Sequence, residues 1–237
     1  MISIVFPAYN EGESLRRFPS EVLPVLNALN QECEVVIVDD GSKDDTAEVA
    51  RGLGRPFRLV KHEKNKGLGA AIRTGFAASK GDLIITMDSD LTFAPTLIPT
   101  LLERFQRGDC DAVSGSPKLA GFSKNIPGYR IFISKAASIV YSVLLGQTIT
   151  AVSPILRLYK KSDIDALRLT ATGFDINAEI LFSLVQQGKA VVEVAAPLTQ
   201  RIHGESKLDY RREMKHHLRL MKRMLIWRIA PARNATA

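Results

Sequence analysis

Hydrophobic and polar positions follow a regular pattern through the first half of the chain. Short apolar runs alternate with longer segments that have the apolar spacing of an amphipathic helix. The pattern predicts strands at residues 2–6, 34–38, 57–61, 82–87 and 112–114, and helices at 13–29, 44–53, 68–79 and 96–106. Strands that are apolar on both faces and separated by single helices are typical of a parallel sheet covered on both sides. We therefore expect a doubly wound α/β domain with a mostly parallel sheet.

The pattern changes beyond residue 120. It predicts helices at 128–145 and 177–187, strands at 155–161, 190–195 and 198–202, and a last helix from Leu208 onward. We expect this half to extend the sheet and to form the second wall of a cleft.

Length and composition favour one main domain with a smaller appendage. The 237 residues are 46% hydrophobic and contain no low-complexity linker, so we expect a domain at 1–206 and a helical tail at 207–237. The first residues enter a strand without a secretion signal, and the longest apolar segment, 131–146, contains Lys135 and falls short of the ~20 residues of a membrane span. The two cysteines have neither metal nor redox spacing, which favours a reducing compartment.

Positive charge is concentrated at the end of the chain. Residues 201–237 hold ten of the 32 Lys and Arg residues but three of the 25 acidic ones, and so carry the whole net charge of +7. The predicted tail helix places an apolar stripe among these bases: Met214, Leu218, Met221 and Leu225. Such a helix is typical of an anionic membrane surface, and the alternative is a helix that docks on the main domain. No recognition motif supports nucleic acid binding.

Polar loops follow the predicted strands at residues 7–14, 39–46, 62–71 and 88–95. In doubly wound sheets, ligands bind beyond the carboxyl ends of the strands, where such loops meet. The first loop lacks the G-x-G-x-x-G fingerprint and no G-x-x-x-x-G-K-[ST] loop is present, which disfavours a dehydrogenase and a P-loop enzyme.

Two acidic pairs in these loops are candidates for chemistry. Asp88 and Asp90 alternate after a strand and could share a hard divalent ion bound to a diphosphate, although Asp90 could instead cap the next helix. Asp39 and Asp40 could accept hydrogen bonds from a base or ribose, or form an Asx-turn with Gly41.

Taken together, six segments resemble a known family. The motifs "VFPAYNEGESL", "VVIVDDGSKDDT", "NKGLGAAIRTGF", "GDLIITMDSDLTFAP", "GFDINAEI" and "RIHGESKL" are similar, in order and spacing, to family 2 glycosyltransferases of the GT-A fold. The resemblance is strongest to the dolichyl or polyprenyl phosphate mannosyltransferase group and covers residues 1–210.

This resemblance implies an inverting, metal-dependent hexosyl transfer from a nucleotide sugar to a polyprenyl phosphate, with Mg or Mn as cofactor. The implied donor-binding residues are Pro7, Tyr9, Glu11, Val38, Asp40, Asp88, Ser89, Asp90, Arg201 and Lys207. Asp88 and Asp90 would hold the metal, and with Arg201 and Lys207 they are the implied catalytic residues. Arg130 and Ser134 would bind the acceptor phosphate.

The implied partners are GDP-mannose or a UDP-sugar and the lipid phosphate. Together with the anionic membrane surface that the basic tail predicts, they indicate the cytoplasmic face of a membrane, and the sequence leaves open whether a separate membrane-anchoring protein takes part. A phosphate acceptor is already ionised and needs no general base. An alcohol acceptor would need one, and Glu179 and Asp175 are the candidates, with helix capping or structural pairing as the alternative.

Three departures from the family pattern concern the sugar and acceptor side. Pro117 stands where a donor-side arginine is expected, with Lys118 beside it, and Thr92 replaces a glutamine of the metal shell. The segment 151–159 keeps Arg157 but lacks the usual acid and glycine. These changes leave open a different sugar, a non-lipid acceptor, or a nucleotide-sugar-binding protein without catalysis.

Overall fold

A computed structural model describes residues 1–121, 138–199 and 210–229, with side chains of the last segment described at 215–227. The strands are β1 (Ile2–Ala8), β2 (Cys33–Asp39), β3 (Phe57–Lys61), β4 (Leu83–Thr86), β5 (Ala112–Ser116), β6 (Arg157–Lys160) and β7 (Val191–Ala195). The helices before residue 121 are α1 (Gly12–Leu15), α2 (Phe18–Glu21), α3 (Leu23–Ala28), α4 (Thr46–Gly52), α5 (Leu68–Ala78) and α6 (Leu97–Gln106). Later helices are α7, which includes residues 138–145, α8 (Lys161–Asp165), α9 (Ile176–Gln186) and α10 (Tyr210–Ile229).

The strands form a seven-stranded sheet in the order β3-β2-β1-β4-β6-β5-β7. Neighbouring strands pair in parallel except where β6 runs antiparallel to β4 and β5. The chain crosses from β1 to β2 on one side, and β4 lies on the other side of β1. This arrangement creates the switch point at which α/β sheets bind ligands, and it brings the carboxyl ends of β1, β2 and β4 together.

Hydrophobic clusters cover both faces of the sheet, as the doubly wound prediction requires. Along β1, Ile4 and Phe6 belong to one cluster while Val5 belongs to the other, because successive side chains of a strand point to opposite faces. Val36 and Val35 divide in the same way on β2. The predicted α/β architecture is confirmed.

The helix predicted at 13–29 is three short helices. Proline occupies an early position of two of them, Pro19 in α2 and Pro24 in α3. Proline has no backbone N–H and cannot continue a preceding helix, so each one starts a new segment.

The tail helix α10 packs on the domain, and the predicted apolar stripe takes only a small part in this contact. Leu220 and Met224 are buried in the main core, and the Trp227 ring lies edge-on to Phe182 with centroids 5.7 Å apart. Of the predicted apolar stripe, Met221 is partly buried against the core, whereas Leu218 and Leu225 are about half exposed. The helix carries apolar residues on two sides, and only one of these sides packs closely against the core of the domain. The division at residues 206 and 207 stays a prediction.

A bilayer-spanning helix, long and apolar enough for the task, does not occur within the portion of the chain that the structure describes.

Candidate active site

The loops that follow β1 and β2 are joined by hydrogen bonds. Asn10 donates its backbone N–H to Ser42 Oγ at 2.8 Å, and its side-chain oxygen accepts the N–H of Lys43 at 2.8 Å. Glu11 donates its backbone N–H to Thr46 Oγ1 at 2.8 Å. Thr46 begins α4, so the helix anchors the loop that carries Tyr9 and Glu11. The two predicted donor loops therefore form one unit.

Pro7 and Val38 are neighbours in the register of β1 and β2, at the carboxyl ends of both strands. Val38 is completely buried, so its side chain belongs to the core. Glu11 accepts the hydroxyl of Ser14 at 2.7 Å, which restrains its carboxylate at the start of α1. The donor-binding roles of these residues stay predictions, but the structure brings them to one edge of the sheet.

Asp40 connects this edge to the loop before α5. Its Oδ1 accepts from the His62 ring at 2.7 Å and from the N–H of Lys66 at 2.9 Å, and its Oδ2 accepts the N–H of Gly67 at 2.8 Å. Asp40 as a whole residue is 3% exposed. Asp40 thus holds the 62–67 loop in place, a task that the sequence did not predict, and its contact with a nucleoside stays a prediction.

Asp39 closes the turn around Gly41 with its side chain, although the bond reaches three residues along the chain and not the two of the Asx-turn that was the alternative interpretation. Its Oδ1 accepts the N–H of Ser42 at 2.8 Å, and Gly41 between them has a φ of 71°. The other oxygen, Oδ2, is buried without a hydrogen-bond partner in the structure. Because Asp39 points into the protein, Asp40 is the member of the pair that reaches the neighbouring loop.

The loop Asp88 to Asp90 follows β4 and turns sharply. Leu91 has a φ of 57°, in the left-handed region that side chains rarely adopt. Thr92 donates both its N–H (2.9 Å) and its hydroxyl (2.6 Å) to Asp90 Oδ1. Thr92 therefore orients the carboxylate of Asp90. The alternative role for Asp90, capping of α6, is not observed, because α6 starts at Leu97 with no side-chain cap bond.

Asp88 lines a cavity of about 160 Å³ at the same edge. Apolar side chains form much of its wall, and Ser153 and Asn177 add polar groups. Ser89, between the two acids, is buried. The cavity lies on the side of the sheet where the sequence departs from the family pattern, since Pro117 is part of the wall.

The carboxylates of the Asp88–Asp90 loop suit a hard divalent ion that is shared with a bound ligand. Within residues 1–121, 138–199 and 210–229, no cluster of three or more His, Cys, Asp or Glu side chains is arranged to hold a metal. Asp88 and Asp90 supply carboxylate oxygens from one loop, and Mg²⁺ is commonly bound by one or two carboxylates plus substrate phosphates. The two aspartates therefore fit a metal whose remaining ligands come from a diphosphate and water.

A segment before the predicted basic motif lies against the Asp88–Asp90 loop. Leu198 forms an isolated antiparallel bridge with Phe93, and Thr199 donates its N–H to Thr92 O at 2.9 Å. Thr199 is not among the predicted site residues, and its only signal in the sequence is its position just before "RIHGESK". Four predicted site residues fall outside the described residues: Arg130, Ser134, Arg201 and Lys207.

Two basic residues near the departures from the family pattern have structural partners: Lys118, beside Pro117, and Arg157, which the 151–159 segment keeps. Lys118 donates to the hydroxyl of Ser138 on α7, on the predicted acceptor side. Arg157 is completely buried and donates to Ser114 Oγ at 3.1 Å, to the carbonyl of Val152 at 2.7 Å and to the carbonyl of Asn177. Arg157 thus connects the 152–155 segment to the start of α9, behind the cavity.

The two candidate bases are both engaged by the protein. Glu179 is fully buried and accepts hydrogen bonds from Thr170, Ala171 and Arg223. Burial raises the pKa of its carboxyl, but these hydrogen bonds outweigh burial and hold the pKa below the ordinary value of 4.5. Asp175 accepts the N–H of Gly173 at 3.2 Å. The contacts of Glu179 therefore fit structural pairing, the alternative role, better than the role of a general base.

Comparison with known proteins identifies the family. The family model described as Glycosyl transferase family 2 matches residues 3–168. The chain belongs to glycosyl transferase family 2. A curated family relative, the dolichol-phosphate mannosyltransferase of Pyrococcus furiosus, is 35% identical over 230 residues, which cover 93% of this chain and 64% of that protein.

A second relative is the undecaprenyl-phosphate 4-deoxy-4-formamido-L-arabinose transferase of Pseudomonas savastanoi pv. phaseolicola, 32% identical over 87% of this chain and 60% of that protein. The chain thus spans less than two thirds of the length of these two relatives.

Solved structures confirm the GT-A fold of this family 2 chain. Glucosyl-3-phosphoglycerate synthase from Mycobacterium tuberculosis, solved with Mn²⁺, UDP and phosphoglyceric acid, superposes with a TM-score of 0.72 at 22% identity, over 96% of this chain and 78% of that one. Mannosyl-3-phosphoglycerate synthase from Rubrobacter xylanophilus gives a TM-score of 0.75 at 17% identity, over 96% of this chain and 74% of that one. At these identities the likeness concerns the fold alone.

Proposed function

We propose that this protein transfers a hexose from a nucleotide diphosphate sugar to a polyprenyl phosphate. The observation that carries the proposal is the convergence at one sheet edge of the two joined donor loops, the Asp88–Asp90 loop and the segment that leads into "RIHGESK". The names of the two curated relatives, both transferases to a lipid phosphate, support the acceptor class. We propose mannose as the sugar, because the dolichol-phosphate mannosyltransferase is the more similar of the two.

In this proposal Asp88 and Asp90 hold Mg²⁺ or Mn²⁺ together with the donor diphosphate, in keeping with the Mn²⁺ in the structure of the glucosyl-3-phosphoglycerate synthase. When bound, the ion would neutralise the charge that develops on the leaving diphosphate. Thr92 orients Asp90, and Arg201 and Lys207 are proposed to contact the diphosphate. Arg130 and Ser134 are proposed to bind the acceptor phosphate, whose oxygen attacks the anomeric carbon without a general base.

We further propose that the protein acts at the cytoplasmic face of a membrane. The outward face of α10 combines three exposed apolar residues, Leu218, Leu225 and Ile226, with the exposed bases Lys215, Arg219 and Lys222. On α7, Ile139 and Val143 are also exposed, and the Tyr141 hydroxyl lies 2.6 Å from His217 Nδ1, which joins the two helices. A surface of this composition suits the interface of an anionic bilayer. A membrane-anchoring partner stays an expectation.

The test is a transfer assay with labelled GDP-mannose, UDP-glucose or UDP-N-acetylglucosamine and a polyprenyl phosphate, with Mn²⁺ or with chelator. We expect label in the organic phase from one donor, loss of that label with chelator, and a loss of at least ~100-fold in Asp90→Ala. Label transferred only to a water-soluble acceptor would contradict the lipid acceptor. Nucleotide binding without transfer from any donor would favour a binding protein.

A further inference from the structure

Glu179 is a buried acid at the centre of a network that the proposed chemistry does not use. Its Oε2 accepts the backbone N–H groups of Thr170 (2.9 Å) and Ala171 (2.7 Å), and its Oε1 accepts the Thr170 hydroxyl at 2.9 Å. Arg223 of α10 reaches the same Oε1 at 2.8 Å. One carboxylate of α9 therefore joins the tail helix to the 170–172 segment.

The opposite side of the 170–172 segment contacts the start of α5. Thr172 accepts the N–H of Gly69 at 2.9 Å, and Ala171 accepts a hydrogen bond from the side chain of Arg73. Gly67, at the start of the same helix, donates its N–H to Asp40, the proposed donor residue. An unbroken series of contacts thus runs from α10 to the donor edge of the sheet.

The 170–172 segment and the start of α5 are closely packed against each other. A Cβ atom on Gly69 would lie 2.2 Å from the carbonyl oxygen of Ala171, and one on Gly67 would lie 2.4 Å from that of Thr172. Both contacts are with backbone atoms, which cannot rotate away. Any displacement of the 170–172 segment must therefore move the start of α5 or break its hydrogen bonds.

A second contact supports the docking of α10 at this place. His216 Nδ1 lies 3.6 Å from Asp175 Oδ1, in the turn just before α9. Arg223 is half exposed, and its NH1 also donates to the Thr170 hydroxyl at 3.0 Å. The guanidinium thus contacts both partners at the outer end of the network and can be replaced without leaving a cavity in the core.

We propose that Glu179 and Arg223 are positioning residues: together they hold the 170–172 segment against the start of α5, so that docking of α10 sets the geometry of the donor loop at Asp40. The proposal rests on the function proposed above, because it concerns the same donor site. The network acts on binding of the nucleotide and leaves the transfer chemistry unchanged. The docking of α10, a helix proposed to face the membrane, thereby influences the affinity of the protein for a soluble nucleotide donor.

The experiment measures binding of UDP and of GDP in the presence of Mn²⁺ by calorimetry, together with amide hydrogen exchange. The variants are Arg223→Met, Arg223→Lys and Glu179→Gln, and Lys222→Met is the matched control, since Lys222 is an exposed base next to Arg223 on α10. We expect Arg223→Met to weaken nucleotide binding about 5-fold or more, within the usual range of coupling between sites. Arg223→Lys should recover most of that loss, and exchange should accelerate at 66–69 and 170–172 in Arg223→Met.

The outcomes separate this inference from the proposed function. If the wild-type protein binds neither nucleotide, the proposed donor site fails. If the wild type binds one of them and Arg223→Met binds it equally well, the positioning role fails while the function stands. Equal weakening in Lys222→Met would also overturn the inference, because the effect would then follow from charge alone. In the transfer assay, the KM for the donor should rise in Arg223→Met while kcat stays close to that of the wild type.

Discussion

Thr92 orients the carboxylate of Asp90, a proposed metal ligand. Its hydroxyl and N–H both donate to Asp90 Oδ1, so one carboxylate oxygen is fixed by the loop itself. The family resemblance implies a glutamine at this position, yet threonine serves here by orienting its neighbour. Replacement of a residue that orients a metal ligand typically lowers metal affinity or activity about 10-fold to 100-fold.

We expect Thr92→Val to raise the Mn²⁺ concentration for half-maximal transfer about 10-fold to 100-fold, because the hydroxyl bond to Asp90 is lost. Thr92→Ser keeps the hydroxyl and should stay within a few-fold of wild type. The measurement is a metal titration of the transfer assay. An unchanged titration in Thr92→Val would show that Asp90 needs no such support.

Gly69 is required by close approach of two backbones. In Gly69→Ala the new Cβ would meet the Ala171 carbonyl oxygen at 2.2 Å, so we expect a loss of about 1–3 kcal/mol in the free energy of unfolding. Gly52→Ala is the matched control, since a Cβ there has no neighbour within 4 Å and should be neutral or stabilising. Urea denaturation measures both, and equal stability of the two variants would contradict the packing argument.

Among the elements, α10 has two apolar sides with different environments. Leu220 and Met224 face the core, whereas Leu218 and Leu225 face outward among basic residues. One side therefore holds the helix on the domain, and the other side is exposed.

We expect Leu220→Ala and Met224→Ala each to lower the free energy of unfolding by about 2–5 kcal/mol, the usual loss for a truncated core side chain. Leu218→Ala should change it by less than about 0.5 kcal/mol, since that side chain is exposed. Chemical denaturation of the full chain distinguishes the two faces. If Leu218→Ala were the more destabilising change, the docked face would be wrongly assigned.

The contact between α9 and α10 should depend on pH through Glu179. The pKa of this carboxyl is held below its ordinary value of 4.5, so its contribution to stability is fully present above pH 4.5. The contribution is lost as the pH falls through the lower pKa of the folded state. We expect the stability difference between wild type and Glu179→Gln to be constant at neutral pH and to shrink below pH 4.5, as measured by denaturation across pH. A difference that grew in acid would reverse the sign of the shift.

At the scale of the whole molecule, the donor edge and the basic surface belong to one body. The sheet brings the strand ends together, and α10 packs into the same core while exposing Lys215, Arg219 and Lys222. The proposed transfer from a soluble donor to a lipid acceptor would require both features within reach of each other.

We expect the protein to bind vesicles that contain phosphatidylglycerol but not vesicles of phosphatidylcholine alone. Each basic residue near such a surface contributes about 1 kcal/mol, so Arg219→Ala combined with Lys222→Ala should weaken binding about 30-fold. Co-sedimentation at low and high salt measures this, and Glu48→Ala with Glu103→Ala, on other helices, is a charge-changing control. Equal binding to both kinds of vesicle would argue against an electrostatic membrane surface.

The class of fold was predictable from the sequence, because strands buried on both faces and single intervening helices leave a doubly wound sheet as the simple solution. It also located the acidic loops, since charged residues that directly follow apolar strands must lie at the sheet edge. The ordered motifs identified the family, which the match at residues 3–168 confirms.

Tertiary structure alone decided the choices that depend on contacts between distant segments. The sequence could not tell which side of α10 docks, because both sides carry apolar residues and the core selects between them. It left Glu179 open between a base and a structural acid, and only the approach of Thr170, Ala171 and Arg223 favours the structural acid. The spacing of hydrophobic residues indicates which side of a helix or strand is buried. The partner of a buried charge depends on which distant segments of the chain pack next to it.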